Sequence, residues 1–214
     1  DAGVNPTVAP YAKEGEVRIR VTAFADKKDT AERLCDEKVR EILATEGVGE
    51  FVYGVDAGSL EASLVSRLRE KGLTLSCAES CTGGLVAKRI VDISGCSDVF
   101  IGGAVTYANE AKMRLLGVKK DTLDRFGAVS EQTAAEMAEG IRKALSTDLG
   151  ISTTGIAGPG GGTPDKPVGT VFVAVASDAG VKVKRLSLSP MRDRDYIRYV
   201  SASNALHLAL KEIL

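Results

Sequence analysis

The sequence predicts an α/β protein in two parts: a small two-layer α+β domain over residues 1–55, then a three-layer α/β/α domain with a mixed sheet over residues 56–214. Three observations predict it. From residue 59 onward, short apolar runs alternate with amphipathic helical segments, the pattern of strand-helix-strand units. Two strand-like runs, 169–176 and 181–188, follow one another across Asp178, Ala179 and Gly180, a hairpin that adds antiparallel pairing to the sheet. The first part holds only one alternating run, one helical segment and a short run, FVYGV.

Taken in order, residues 1–15 are rich in Pro, Gly and small side chains and read as a linker. EVRIRVTAFA then alternates, with Val17, Ile19 and Val21 on one face and Arg18, Arg20 and Thr22 on the other, a half-buried strand. Asp29 or Thr30 can cap a helix over 31–46 that ends at Gly47, and FVYGV (51–55) reads as a second strand, giving a β-α-β unit. Ser59 caps a helix carrying Leu60, Leu64, Val65 and Leu68, stopped by Gly72. LTLSC (73–77) is a strand, followed by a tight Thr-Gly-Gly turn and the helix LVAKRIVDI. VFIGGAVTY (99–107) reads as a buried strand that something approaches closely at Gly102 and Gly103. Asn109 can cap the helix EAKMRLL, DTLDRFG adds a further turn or two, and Ser130 caps the clearest helix, with Ala134, Met137, Ala138, Ile141 and Leu145 on its apolar side. GISTTGIA (150–157) is a strand, the hairpin follows, and a last helix runs from about Asp193.

Composition excludes several functions. With 28 basic and 29 acidic side chains the net charge is -1, which gives no reason to expect nucleic acid or an anionic membrane as partner. No apolar run reaches membrane-spanning length, and the first residues do not resemble a signal peptide. The absent initial Met suggests a fragment or processed chain. Four cysteines do not make a disulfide framework in a chain of this size, so a reducing cytoplasm is the expected setting. The single histidine, His207, lies amid Ala and Leu, and the spacing of Cys77, Cys81 and Cys96 is not that of a zinc ribbon, so no metal and no cofactor is expected.

Chemistry concentrates in four stretches. In AESCTGG (78–84) Ser80 sits at a strand-to-helix junction, where unpaired amides suit either an oxyanion beside a nucleophile or a bound phosphate. Cys81 is an alternative nucleophile there. With no usable His, a serine nucleophile needs another base, and Lys112 lies at a second strand-helix junction beside Tyr107 and Asn109; the same Lys on a solvated helix face is the plainer reading. TTGIAGPGGGTPDKPVG (153–169) is no Walker loop, since no Gly-Lys-Ser/Thr closes it, but it presents Thr153 and Thr154 and a stiff glycine-proline loop. Arg192, Arg194 and Arg198 surround the start of the last helix, where an anion or the neighbouring Asp193 and Asp195 would offset their charge.

Together AESCTGG, VTYANEAK (105–112), GAVSEQTAAEMAEG (127–140), TTGIAGPGGGTPDKPVGTV (153–171) and the terminal RDR (192–194) closely resemble the C-terminal domain of the CinA, or competence/damage-inducible, family. The preceding part resembles the KH-like middle domain of that family's long members, although EGVGE lacks the Gly-x-x-Gly loop that would hold RNA. The molybdopterin-binding-like domain of the long members has no counterpart in this sequence. The resemblance implies a nicotinamide-nucleotide amidase that hydrolyses nicotinamide mononucleotide to nicotinate mononucleotide and ammonia. It implies Ser80 as nucleophile, Lys112 as its partner, and Tyr107, Thr154 and Arg194 as further members of the site. Amides around 82–84, with Thr154, are then expected to hold the oxyanion. Glu79, Thr82, Gly83 and Gly84 are expected to contact the substrate, and Gly158, Gly160, Gly161 and Arg194 its phosphate. Arg192 stands where many members have Gly. The alternative is a nucleotide-binding or regulatory domain without turnover. Chains are expected to pair as a homodimer through the small domain, or that domain to pack on the larger one.

Overall fold

A computed structural model describes residues 4–13 and 15–214. The chain divides into two compact units, Asp1–Asp56 and Ala57–Leu214.

In the first unit, strand β1 (Thr7–Lys13) pairs antiparallel with β2 (Glu16–Thr22), Pro10 facing Ile19 across the hairpin. Helix α1 (Lys28–Ala44) follows. Two expectations are corrected. The segment read as a linker contains β1, while its residues 1–3 and 14 lie outside the described ones. FVYGV is not a strand: Gly49–Phe51 forms one 3-10 turn, and the residues after it have no strand partner, Tyr53 instead donating its hydroxyl to Glu16 Oε1 at 2.6 Å. The unit is therefore β-β-α.

The second unit is the expected three-layer α/β/α domain. Its helices and strands are α2 (Leu60–Lys71), β3 (Leu75–Glu79), α3 (Leu85–Val91), β4 (Phe100–Val105), α4 (Asn109–Leu116), α5 (Lys120–Phe126), α6 (Glu131–Leu145), β5 (Leu149–Gly155), β6 (Thr170–Ser177), β7 (Gly180–Ser187) and α7 (Arg194–Glu212). The sheet order is β4-β3-β5-β6-β7, with β3 parallel to both β4 and β5, and β6 antiparallel to both β5 and β7. Helix α6, with α4 and α5, covers one face, and α7, with α2 and α3, covers the other. Met137, Ala138 and Ile141 of α6 are buried; Ala138 packs with Phe172, Ala174 and Ala176 of β6, and Met137 and Ile141 pack with Ala78 of β3. β4 differs from expectation: it is the edge strand, half-buried and exposed by turns, and Ile101 and Val105 face outward. The close approach expected at its glycines is present, since a Cβ on Gly103 would overlap the Cys77 sulfur on β3.

This order positions the site. β3, β4 and β5 run parallel, so their carboxyl ends open at one edge of the sheet. The chain leaves β3 for a neighbour on one side and returns to β5 on the other, the arrangement that leaves a crevice between the strand ends.

Candidate active site

Ser80 follows β3 directly. Its N–H donates to Thr153 O on β5 at 3.0 Å, and Thr106 N–H, just past β4, donates to Glu79 O at 2.8 Å, so both neighbouring strands hold the backbone at the junction. Lys112, in α4, points back into this junction. Its side chain is 1% exposed, and its Nζ lies 3.1 Å from Ser80 Oγ, 2.8 Å from Thr106 O and 3.1 Å from Tyr107 O. Among the described residues no carboxylate pairs with it. Burial lowers the lysine pKa, because the charged amine has lost its water. The solvated-face reading of Lys112 is thereby excluded. The geometry suits the neutral amine: two N–H groups go to the two carbonyls, and the lone pair is left facing the serine hydroxyl.

The Thr-Gly-Gly turn is arranged differently from expectation. Glu79, expected to contact substrate, is 1% exposed and its carboxylate is committed within the protein. Oε2 accepts from Thr82 Oγ1 (2.6 Å), Gly84 N (3.0 Å) and Val86 N (3.0 Å), and Oε1 accepts from Ala87 N (2.8 Å). The Thr82 hydroxyl, also expected at the substrate, is buried between Glu79 and Thr153 Oγ1 (2.6 Å). Gly83 N–H closes a turn onto Ser80 O (3.1 Å). The amides of Gly83 and Gly84, expected at an oxyanion, are therefore occupied. Both glycines have positive φ, 59° and 97°, which is the conformational reason for the Gly-Gly pair. Sequence reasoning missed the role of Glu79; the sign available was an acid immediately before the serine with a hydroxyl three residues on.

Thr154 is corrected in the same way. Successive strand residues point to opposite faces, so while Thr153 faces Thr82, Thr154 is buried on the other side and donates to Ala128 O at 2.6 Å. Arg194 ties separate motifs together, donating to Gly158 O (2.7 Å) and to the Tyr107 hydroxyl (3.3 Å); Tyr107 is otherwise 64% exposed. Arg198, one helical turn on, donates to Thr82 O at 2.8 Å, whereas Arg192 stacks on the Tyr196 ring and turns away from these contacts. Gly158 thus joins the site through its carbonyl, while Gly160 and Gly161 lie exposed on the loop and no contact brings them to Ser80. The Cys81 thiol is buried, and burial, reinforced by the Glu79 charge, pushes its pKa up to about 12, against a thiolate nucleophile. None of the four cysteines is in a disulfide. Among the described residues no helix is long and apolar enough to cross a membrane.

Comparison with known proteins places these motifs in a family. Residues 57–213 match the family described as the CinA C-terminal domain, and residues 1–54 the damage-inducible protein CinA KH domain. A CinA-like protein of Kosmotoga olearia is 53% identical over 213 residues, covering 98% of this chain and 50% of the relative. A competence-damage inducible protein of Clostridium acetobutylicum is 50% identical over 202 residues, covering 94% of this chain and 49% of the relative. The chain thus spans about half the length of the curated relatives it matches. The crystal structure of a competence/damage inducible protein from Agrobacterium tumefaciens superposes with a TM-score of 0.69 at 40% identity, covering 75% of this chain and 98% of that one.

Proposed function

This chain belongs to the CinA family, and from that premise we propose that it is an amidohydrolase, hydrolysing the carboxamide of nicotinamide mononucleotide to nicotinate mononucleotide and ammonia through Ser80 and Lys112. The observation that carries the reading is the buried Lys112 amine, 3.1 Å from Ser80 Oγ and bonded otherwise only to main-chain carbonyls. A lysine desolvated in this way and lacking a carboxylate partner is suited to be neutral and to act as a base.

In this mechanism Lys112 takes the Ser80 hydroxyl proton as Oγ attacks the amide carbon. The tetrahedral intermediate collapses, the C–N bond breaks, and the same proton passes from Lys112 to the departing nitrogen, which leaves as ammonia. A water then attacks the resulting ester. Lys112 accepts one of its protons and returns it to Ser80 Oγ as nicotinate mononucleotide leaves. Arg194, held between Gly158 O and the Tyr107 hydroxyl, is the candidate for the substrate phosphate: its guanidinium is fixed in direction but retains donors for a ligand. No metal enters the scheme.

The test is ammonia release from nicotinamide mononucleotide by the wild-type chain and by Ser80→Ala. Release that disappears in the variant supports the amidase; saturable nucleotide binding without ammonia from the wild type would instead support the regulatory reading.

A further inference from the structure

We infer that Glu79 is a positioning residue, whose buried carboxylate fixes the turn after Ser80 so that the main-chain N–H groups of Cys81 and Thr82 are presented together as the oxyanion-binding pair. The inference rests on the amidase reading and deepens it.

The amides from Ser80 to Ala87 can be followed one by one. Ser80 N–H goes to Thr153 O, Gly83 N–H to Ser80 O and Leu85 N–H to Thr82 O. Gly84, Val86 and Ala87 N–H all go to the Glu79 carboxylate. Cys81 and Thr82 N–H have no main-chain or side-chain oxygen acceptor among the described residues, the Cys81 N–H meeting only its own thiol sulfur, and they are the two central residues of the turn closed by Gly83 onto Ser80. Successive N–H groups in a turn form an anion-binding concavity, and one of this pair belongs to the residue directly after the nucleophile, where an oxyanion forming on the attacked carbon comes closest.

Glu79 controls this pair from both ends. Its side chain takes the three amides at the start of α3 and the Thr82 hydroxyl, while its own carbonyl is held by Thr106 N–H. Thr82 is further fixed by Thr153 Oγ1 and, at its carbonyl, by Arg198. A charged carboxylate accepts all four contacts at once. An isosteric amide cannot, because its NH2 would face N–H donors. Glu79→Gln therefore leaves the size of the side chain intact and releases the turn.

The experiment measures kcat, KM, nucleotide affinity and the pH profile for wild type, Glu79→Gln and Thr82→Val, the second variant removing the hydroxyl contact without touching the acid. Loss of an aligned donor costs roughly 10²–10³-fold in kcat. The expected result is a fall in kcat of about that size for Glu79→Gln and about tenfold for Thr82→Val. KM and nucleotide affinity should stay within about twofold, and the pH midpoint should be unchanged because the surroundings of Lys112 are intact. Wild-type kcat in both variants would overturn the inference, as would a loss confined to KM, or affinity falling in parallel with kcat. Ser80→Ala in the same assay separates the two levels: ammonia release that depends on Ser80 but not on Glu79 or Thr82 upholds the amidase and sinks this inference alone, whereas no release from wild type removes the amidase reading itself.

Discussion

In the proposed mechanism Lys112 is the base, and its buried amine, with no carboxylate to hold its proton, gives that proton up more readily than a surface lysine does. Desolvation lowers its pKa, and only the neutral amine can take the Ser80 proton. The account predicts that kcat/KM rises with pH through a midpoint below the ordinary lysine value of 10.5 and then levels off. A profile flat across that range would contradict it. The same shift affects folding. Between the lowered folded-state pKa and the unfolded value, the unfolded chain holds the extra proton, so stability rises with pH across that window. Urea unfolding of wild type should show this rise, and Lys112→Met should lack its share of it. Lys112→Arg keeps a long cation that does not deprotonate and should lose roughly 10²–10⁴-fold in kcat, read by ammonia release. At this scale the sequence indicated the pair Ser80 and Lys112 through two strand-helix junctions and the family motifs. It did not reveal the carbonyls of Thr106 and Tyr107, because main-chain acceptors leave no residue type to read. The burial of Glu79 left only an indirect trace, the Thr82 hydroxyl three residues on that donates to it.

Among the elements, α6 matters most, since it lies across the sheet and supplies part of the core beneath the site. Ser130 caps it: Oγ accepts from Thr133 N at 3.2 Å and donates to Gly127 O at 2.9 Å. Ser130→Ala should cost about 1 kcal/mol, measured as a lower urea midpoint with KM unchanged; an unchanged midpoint would show the cap to be dispensable. Helices like α6 were legible because their apolar residues recur at helical spacing over several turns and their caps are local. The strands were legible where both faces are buried, as in β3, β5 and β6, and also where apolar and polar residues alternate, as in β2 and β7. β1 was hidden by Pro6 and Pro10: proline reads as a breaker, yet Pro10 is tolerated in a two-stranded hairpin, where each strand is an edge strand among the described residues. FVYGV misled in the other direction, since its side chains favour strands but no neighbouring strand pairs with it. β4 looked buried because its glycines and aliphatics resemble a central strand, and only the sheet order places it at an edge.

For the whole molecule, the two units differ in how much they bury. Ala57–Leu214 contains the cores on both faces of its sheet, whereas in Asp1–Asp56 the only described residue that is fully buried is Pro6, and Val17, Phe24 and Phe51 are exposed. A unit with so little core is not expected to be stable alone. Residues 57–214 expressed by themselves should unfold in one cooperative transition and keep kcat within about twofold, while residues 1–56 should show no transition. We propose that the exposed apolar side chains of the small unit pair two chains, so sedimentation should give a dimer for the whole chain and a monomer for 57–214; a dimer of both would place the contact elsewhere. The central claim, however, is that Ser80, activated by Lys112, forms an ester with the substrate's acyl group. Mass spectrometry of the chain quenched during turnover of nicotinamide mononucleotide tests it most directly. The expected result is an acyl adduct that fragmentation places on Ser80 itself, lost together with ammonia release in Ser80→Ala. An adduct on Cys81, or ammonia release that persists without Ser80, would contradict it.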